Sequence, residues 1–268
     1  MNIIEGYMPF KGFKTYYRIV DGGDKTPLIC LHGGPGSTHN YFEVLDCLAK
    51  TGRKEIMYDQ LGCGKSYVED HDELWNQETW MEELVVLMEY LNIESCHLLG
   101  QSWGGMLAIA YAIEKKNAKL KSLILSSTLS SASLWAKEQH RMISFMSKDE
   151  QRAILSEDYN SKEYQLANEH YMQLHCAGPF DEKTPECVTR EKKVGQRAYL
   201  IGWGPNEYTP LGALKNFEYT NRLNEIDVPA LIISGTNDLC TPLVAKTMYD
   251  SIKNAKWHLM PGCRHMCF

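Results

Sequence analysis

The sequence lacks several features that mark particular classes of protein. In its 268 residues, no apolar run approaches the ~18 residues that a membrane-spanning helix needs. Residues 1–10 lack the basic start and the apolar block of a signal peptide. Basic residues do not outnumber acidic ones, 28 against 34, which argues against nucleic acid or an anionic membrane surface as a partner. We therefore expect an ordinary soluble protein.

Paired cysteines are missing as well. The nine cysteines are an odd number, include no Cys-x-x-Cys pair and are scattered through predicted strands and helices. A disulfide framework needs an even set at regular spacings, so we expect a reduced chain in the cytoplasm. Internal repeats and low-complexity tracts are absent too, and the length suits one α/β domain with an insertion.

Short apolar runs rich in β-forming residues alternate with helical patterns along most of the chain. Glu78–Leu91 carries apolar residues on one helical face, and Leu107–Ile113 and Leu243–Ile252 are similar. Strands that alternate with helices predict a mainly parallel sheet covered on both faces. The predicted strands are Thr15–Val20, Pro27–Leu31, Glu55–Tyr58, Cys96–Leu99, Ser122–Ser126, Ala230–Ser234 and Lys256–Met260.

The alternation breaks between Leu129 and Phe217. This segment is polar and aromatic, has no strand-like run, and has helical patches at Leu134–Met146 and Tyr164–His175. We expect a helical cap at residues 129–217, inserted into a catalytic domain made of residues 1–128 and 218–268. Insertions of this kind often wall a pocket and exclude water from it.

A candidate nucleophile lies in Gly100-Gln101-Ser102-Trp103-Gly104, which matches the pattern Gly-x-Ser-x-Gly. An apolar strand precedes it and a helical run follows it. A sharp turn from strand to helix needs glycine on both sides, and it holds the serine hydroxyl exposed above the sheet. The alternative is a glycine-rich structural turn. A serine hydroxyl becomes a useful nucleophile only if a base takes its proton.

An acid and a histidine follow in the order that this arrangement requires. Asp238 comes after the predicted strand Ala230–Ser234, and His265 comes after the last predicted strand. Both positions are at strand ends, where catalytic groups gather in open α/β sheets. Taken alone, Asp238 is typical of a turn or helix cap, and His265 of a surface histidine. In this order they predict a catalytic triad with Ser102.

The glycine-rich segment His32-Gly33-Gly34-Pro35-Gly36 follows another predicted strand. An oxyanion hole needs two backbone N–H groups aimed at one point, and we expect them from Trp103 and Gly34. A plain Gly/Pro loop is the alternative. A phosphate-binding loop is disfavoured, because no Gly-Lys-Ser/Thr follows this segment. The second glycine-rich segment, Gly62–Ser66, has Asp59 where a phosphate loop needs its first glycine.

Cys263, His265 and Cys267 suggest a metal site at first sight. Their Cys-x-His-x-Cys spacing lacks the second ligand pair that zinc sites have. We therefore expect neither a metal nor another cofactor.

Taken together, His32–Gly36, the segment Tyr58–Ser66 (Tyr-Asp-Gln-Leu-Gly-Cys-Gly-Lys-Ser) and Gly100–Gly105 resemble the prolyl (proline) iminopeptidase family of α/β-hydrolase serine peptidases. The sequence is most similar to the branch that holds the archaeal tricorn-interacting aminopeptidase and the lactobacillal proline iminopeptidases. The resemblance covers nearly the whole chain. The first motif is quite specific to the family, whereas the third is not. The resemblance implies the α/β-hydrolase fold with an inserted helical cap.

The resemblance also implies substrate-binding residues in the cap. The segment from Gly204 to Thr209 is similar to one whose glutamate binds the free α-amino group of the substrate, which assigns that role to Glu207. A partly buried carboxylate suits a cationic N-terminus. Tyr199 stands where the family has a tyrosine lining the same pocket. Without the resemblance, Glu207 is equally well a solvated surface acid.

Two departures from the family pattern stand out. Thr236 replaces a second amine-binding glutamate that the family often has just before its catalytic Asp, which weakens the expected amine recognition. The sequence ends at Phe268, three residues after His265, where the family usually continues into a helix that closes the sheet. The resemblance leads us to expect lower stability without that helix.

These observations predict a cytoplasmic serine aminopeptidase that releases proline or another small or apolar residue from short peptides. Two alternatives remain: an amino-acid amidase or esterase that uses the same triad on aminoacyl amides or esters, and an inactive binding protein on a hydrolase scaffold. An epoxide or haloalkane hydrolase is disfavoured, because those enzymes need Asp where Ser102 stands. The preferred first residue and the oligomeric state do not follow from the sequence.

Overall fold

A computed structural model describes residues 2–116 and 119–266. Its centre is an eight-stranded sheet in the order β1-β2-β4-β3-β5-β6-β7-β8. β1 and β2 are antiparallel to their neighbours, and the other strands are parallel. The strands are β1 (Asn2–Phe10), β2 (Phe13–Asp21), β3 (Lys25–Leu31), β4 (Arg53–Tyr58), β5 (Cys96–Gln101), β6 (Leu120–Ser126), β7 (Ala230–Gly235) and β8 (Ala255–Met260).

Helices cover both faces of this sheet and fill the segment between β6 and β7. A long 3₁₀ segment at His39–Thr51 follows β3, and shorter 3₁₀ turns lie at Gly64–Ser66, Asp72–Leu74 and Thr220–Glu225. The α-helices of the described residues are α1 (Gln77–Tyr90), α2 (Trp103–Lys115), α3 (Ala132–Ile143), α4 (Lys148–Leu155), α5 (Lys162–His175), α6 (Glu186–Thr189), α7 (Gln196–Gly202) and α8 (Pro242–Ser251). The predicted α/β fold is therefore confirmed.

The core forms on the two faces of the sheet. Helix α2 is buried along most of its length, and its residues Leu107 to Ala110 are completely inaccessible to solvent. On the other face, Tyr41 and Phe42 of the 3₁₀ segment pack against strands β3 and β4. A strand covered on both sides is apolar throughout, which is why β3, β4 and β5 were visible as short apolar runs.

Strand β1 was not predicted. It is an edge strand, exposed along most of its length, and it contains Gly6 and Pro9, which are unusual in strands. It pairs with β2 through a tight turn at Lys11 and Gly12, both at positive φ. This backbone matches a hairpin turn, but Lys-Gly is a weaker sequence signal than Asn-Gly or Asp-Gly.

Helices α3 to α7 occupy the predicted cap segment. Helix α4 begins with a reciprocal capping box in which Ser147 and Glu150 bond each other's backbone. The predicted patch Leu134–Met146 ends earlier, at Ile143, while Tyr164–His175 matches α5 closely. The boundary of the cap at residues 129–217 stays a prediction.

No helix of the described residues is long and apolar enough to cross a membrane. The cysteines that are free thiols include Cys30, Cys47, Cys63, Cys96, Cys176, Cys187 and Cys263.

Candidate active site

Ser102 sits at the sharp turn between β5 and α2. Its backbone is strained, with φ 55° and ψ −123°. A Cβ on Gly100 would lie 2.2 Å from the carbonyl oxygen of Gly104, and a Cβ on Gly104 would lie 1.9 Å from that of Leu31. Both glycines are therefore required for the turn to pack on β3. Only 8% of the surface of Ser102 is exposed.

Strand β6 and the residues that follow it hold the turn at Ser102 in place. The Ser102 N–H donates to the carbonyl of Ser126 at the end of β6 (2.9 Å). The Thr128 hydroxyl donates to the Ser102 carbonyl (2.6 Å). These bonds satisfy both backbone polar groups of Ser102, so its position does not depend on its side chain.

Asp238 and His265 form a hydrogen-bonded pair close to this turn. His265 Nδ1 lies 2.8 Å from Asp238 Oδ1. The Gln101 side chain, next to Ser102, donates to the carbonyl of His265 (3.4 Å). His265 is only 5% exposed, so it is not the surface histidine of the alternative interpretation. The structure thus brings the three predicted triad residues to one edge of the sheet.

Among the described residues, four groups donate hydrogen bonds to the Asp238 carboxylate. Besides His265, Oδ1 accepts the Cys240 N–H (2.7 Å), and Oδ2 accepts the Ser127 hydroxyl (2.6 Å) and the Gly235 N–H (3.1 Å). These donors hold the Asp238 carboxylate in a fixed orientation toward His265. Burial lowers the pKa of His265, but the charge and hydrogen bond of Asp238 outweigh it, so the net pKa is raised.

Backbone N–H groups are available for an oxyanion at the two predicted positions. Among the described residues, no acceptor is bound to the N–H of Gly34 or of Trp103. Gly34 has φ +111°, a conformation that side chains disfavour. The neighbouring N–H of Gly33 is used differently, because it donates to the Tyr41 hydroxyl (2.7 Å). This difference favours Gly34 over Gly33 as the second donor.

Glu207 lies across the site from the sheet, in the segment between β6 and β7. Its carboxylate Oε1 accepts the hydroxyl of Tyr199 (2.8 Å), and its backbone carbonyl accepts the indole N–H of Trp135 (2.8 Å). The Trp135 ring also lies against His265, with ring centres 5.9 Å apart. Trp135 therefore links the two halves of the site.

Electrostatics couples Glu207 to the histidine. Burial raises the pKa of Glu207, and the His265 charge and the Tyr199 hydrogen bond lower it in part. Glu207 in turn helps to raise the pKa of His265. Glu207 is buried enough for its charge to interact with that of His265. The structure therefore disfavours the alternative that Glu207 is a solvated surface acid.

A cavity of about 370 Å³ adjoins these groups. Gly34, Pro35, Tyr199, Gly204 and Pro205 contribute to its lining, and none of its lining residues carries a charge. It connects the predicted oxyanion donor to the tyrosine that holds Glu207, and it suits an apolar group.

Thr236 has a structural role in place of the glutamate that the family pattern would have. It is exposed, and its hydroxyl accepts the N–H of Gly262 (2.8 Å). The Asn237 N–H donates to the carbonyl of Cys263 (2.9 Å). These bonds join the turn that carries Asp238 to the loop that carries His265.

The phosphate-loop-like segment is filled by the protein's own carboxylate. Asp59 Oδ2 accepts the Lys65 N–H (2.8 Å), and Oδ1 accepts the N–H and the ring nitrogen of His39 (2.9 and 2.7 Å). Gly64 is required there, because its Cβ would lie 2.2 Å from Asp59 Oδ2. An internal anion therefore occupies the place that a phosphate would take.

Within the described ranges, no three His, Cys, Asp or Glu side chains lie together as metal ligands. Cys267, part of the Cys-x-His-x-Cys spacing, lies outside the described residues.

Several residues of the site were missed by the sequence analysis. Ser127 bonds Asp238, and Tyr41 bonds Gln101 through its hydroxyl (3.0 Å). Trp135 reaches both Glu207 and His265. Ser127 follows a predicted strand at the catalytic edge, which is a signal that could have found it. Trp135 has no such signal, because tertiary packing decides which face of helix α3 is turned toward the site.

Comparison with known proteins agrees with this geometry. The family model described as alpha/beta hydrolase fold matches residues 26–268. The proline iminopeptidase of Clostridioides difficile (strain 630) is 59% identical over 100% of this chain and 94% of its own length. The proline iminopeptidase of Lactobacillus helveticus is 58% identical, over 100% of this chain and 93% of its own.

Solved structures show the same likeness. The crystal structure of the proline iminopeptidase of Mycobacterium smegmatis matches with a TM-score of 0.85 at 28% identity, over 98% of this chain and 92% of that one. The crystal structure of VinJ matches with a TM-score of 0.86, also at 28% identity and over the same shares of the two chains. The chain belongs to the proline iminopeptidase family of α/β hydrolases.

Proposed function

We propose that this protein is a serine aminopeptidase that releases proline, or another small or apolar residue, from the N-terminus of short peptides. The observation that carries the proposal is the position of Glu207 opposite the Asp238–His265 pair. A charged amine held by Glu207 sets the distance from the N-terminus to the bond that is cut. The relatives named proline iminopeptidase support the same activity.

Acylation begins at Ser102. His265 Nε2 takes the proton of the Ser102 hydroxyl, whose oxygen attacks the carbonyl carbon of the first residue. Asp238 holds Nδ1 and stabilises the imidazolium. The raised pKa of His265 suits a base that must retain the proton until the leaving amine takes it.

The N–H groups of Trp103 and Gly34 bind the oxyanion of the tetrahedral intermediate. His265 then gives its proton to the leaving amine, and the shortened peptide departs. Water, activated by the same histidine, hydrolyses the ester bond between the first residue and Ser102. The free amino acid leaves, and the enzyme returns to its starting state.

Glu207 selects substrates that have a free N-terminus. An ammonium group bound to a partly buried carboxylate gives a charge-assisted hydrogen bond, which is stronger than a neutral one. An acetylated N-terminus has no charge and is larger. We therefore assign Glu207 and Tyr199 to amine binding, with Tyr199 holding the Glu207 carboxylate in place.

Residues 129–217 act in this proposal as a cap that limits access to short peptides. The uncharged lining of the adjoining cavity supports an apolar preference. We also propose a reducing, cytoplasmic location. It is supported by free, fully buried thiols such as Cys30, Cys63 and Cys96.

The test is hydrolysis of the β-naphthylamides of proline, leucine and alanine beside their N-acetylated forms, with wild type and Ser102→Ala. We expect hydrolysis of the free-amine substrates only, and its loss in the variant. Equal rates on the acetylated substrates would instead assign the triad to a general amidase or esterase. Binding of the amides without turnover in wild type would indicate an inactive scaffold.

A further inference from the structure

We propose that Gln60 is a positioning residue that sets the distance between the two oxyanion N–H groups. This inference rests on the proposed function, since it assumes that Trp103 and Gly34 bind the oxyanion. The Gln60 side chain bonds His32 and Trp103 and makes no hydrogen bond to Ser102 within the described residues. It lies beneath the site, 1% exposed, in the loop after β4.

The Gln60 side chain bridges the two segments that carry the donors. Its Oε1 accepts the indole N–H of Trp103 (2.7 Å). Its Nε2 donates to the backbone carbonyl of His32 (3.0 Å). One amide group thus joins the first residue of α2 to the segment that leads into Gly34.

A second contact strengthens the bridge. The Gln60 backbone N–H donates to His32 Nε2 (2.9 Å), and His32 Nδ1 lies 2.9 Å from the carbonyl of Gly33. Since Nε2 accepts, the proton is on Nδ1. Burial lowers the pKa of His32 to about 4, so this neutral form persists at neutral pH.

The chemistry of the partners requires glutamine in particular. An indole N–H can only donate and a peptide carbonyl can only accept. The bridging side chain must therefore offer one acceptor and one donor on a single short, planar group. A glutamate carboxylate has the same shape but presents an acceptor to both partners.

Each end of the Gln60 bridge restrains the backbone near one oxyanion donor, the N–H of Trp103 or the N–H of Gly34. A tryptophan side chain has only two rotatable bonds, so a fixed ring restrains its own backbone. The Trp103 ring is also packed edge-on against Trp80, with ring centres 5.0 Å apart. On the other side, the Gly33 N–H is bound by the Tyr41 hydroxyl (2.7 Å). The segment that leads into Gly34 is therefore restrained at both His32 and Gly33.

The test compares wild type with Gln60→Met, which has a similar volume and loses both bonds. The substrate is prolyl β-naphthylamide. The probes are pyrrolidine-2-boronic acid, which forms a tetrahedral adduct with the serine, and free proline, which does not. We expect kcat to fall by about 10-fold to 100-fold and the boronate Ki to rise by a similar factor. KM and the Ki of proline should stay within about 3-fold.

The variant Gln60→Glu sharpens the test, because protonation restores the missing donor. Its neutral carboxyl group can accept from Trp103 and donate to the His32 carbonyl, whereas its ionised form cannot. We expect the ratio of its kcat to that of wild type to fall as the pH rises. The titratable groups around this site are His32, Cys63, Asp59 and, beyond Leu61, Glu83. They are common to both proteins, so a change in the ratio reports the new carboxyl group.

Gln139→Met is the matched control. Gln139 is also fully buried, and its amide bridges the Tyr171 hydroxyl and the carbonyl of Leu239. We expect this control to lower the melting temperature and to leave the ratio of boronate Ki to proline Ki unchanged. Melting curves for each variant identify any loss of folding, and Gln60→Glu at low pH tests the inference even if Gln60→Met does not fold.

Three results would overturn the inference. The first is a Gln60→Met enzyme whose boronate Ki matches that of wild type. The second is an equal loss of boronate and proline binding, since that indicates general damage to the site. The third is a pH-independent kcat ratio for Gln60→Glu. If wild type itself neither turns over prolyl amides nor binds the boronate, the proposed function fails and this inference with it.

Discussion

The sheet side of the site and the side formed by the predicted cap segment, here called the cap side, are held in different ways. On the sheet side, four groups of the described residues donate hydrogen bonds to Asp238, and the turn at Ser102 is fixed by backbone bonds and close glycine contacts. On the cap side, the Glu207 carboxylate accepts one hydrogen bond from the described residues, that of Tyr199. Rigid support suits groups that must fit a transition state. A carboxylate held by one hydrogen bond is enough to recognise a charged end.

The largest effect is expected on the sheet side. Asp238→Asn should lower kcat/KM by about 10³-fold to 10⁴-fold, because the amide cannot stabilise the imidazolium and favours the wrong tautomer of His265. Steady-state kinetics on prolyl β-naphthylamide measures this loss. Asp46→Asn is the control, since Asp46 of the 3₁₀ segment pairs with Arg18 of β2. A loss below about 10-fold in Asp238→Asn would contradict the triad.

A smaller effect, of a different kind, is expected on the cap side. Glu207→Gln keeps the shape of the side chain but removes its charge, so KM for prolyl β-naphthylamide should rise by about 10-fold to 100-fold. The same change at Glu182, an exposed acid of the same segment, should leave KM unchanged. If kcat falls instead while KM is kept, Glu207 acts on the chemistry and the distinction between the two sides is wrong.

The pH dependence of KM tests how Glu207 is supported on the cap side. Burial raises the pKa of Glu207, and the carboxyl group loses its charge as the pH falls through that pKa, so KM should rise toward acid. The Tyr199 hydrogen bond lowers this pKa. Tyr199→Phe should therefore move the acid limb of 1/KM to higher pH, by less than about one unit for one hydrogen bond. An acid limb that stays in place or moves to lower pH would show that Tyr199 does not support Glu207.

The same contrast explains what could be predicted from the sequence. Ser102 and its glycines are a local pattern, because strain in the turn restricts five consecutive residues. Asp238 and His265 follow from strand order, since parallel strands end at one edge. Their direct contact confirms their proximity, while their catalytic roles stay predictions.

The remaining residues depend on contacts between distant segments. The role of Glu207 was predicted only from a family resemblance. No short sequence pattern shows which residues between β6 and β7 are turned toward the site. Gln60 lies in the segment Tyr58–Ser66, whose only signals in the sequence are a family motif and an incomplete match to a phosphate-binding loop. Its partners, Trp103 and His32, are far away in sequence. Strand β1 was missed because an exposed edge strand has little apolar pattern.

The smallest effect on activity is expected from a substitution of Glu55, a buried acid outside the site. Glu55 of β4 is completely buried, and its carboxyl group lacks the set of close donors that surrounds Asp238. Burial, with the charge of Asp46, raises its pKa to about 7. The unfolded chain therefore loses this proton first, and stability should fall as the pH rises from about 4.5 through about 7.

Glu55→Gln should remove this loss of stability, on the order of 3 kcal/mol, and leave kcat/KM unchanged. Urea unfolding at several pH values measures it. A variant whose stability keeps the pH slope of wild type would show that Glu55 has a partner in solution.

The central claim is that the sheet side performs the reaction while Glu207 selects the amine. Its most direct test is the ratio of kcat/KM for prolyl β-naphthylamide to that for cyclopentanecarbonyl β-naphthylamide, which has the same ring size but no amine. We predict a ratio of about 100 or more in wild type and only a few-fold in Glu207→Gln, with the rate on the cyclopentane compound unchanged. Equal rates on the two compounds in wild type, or an unchanged ratio in Glu207→Gln, would contradict the account.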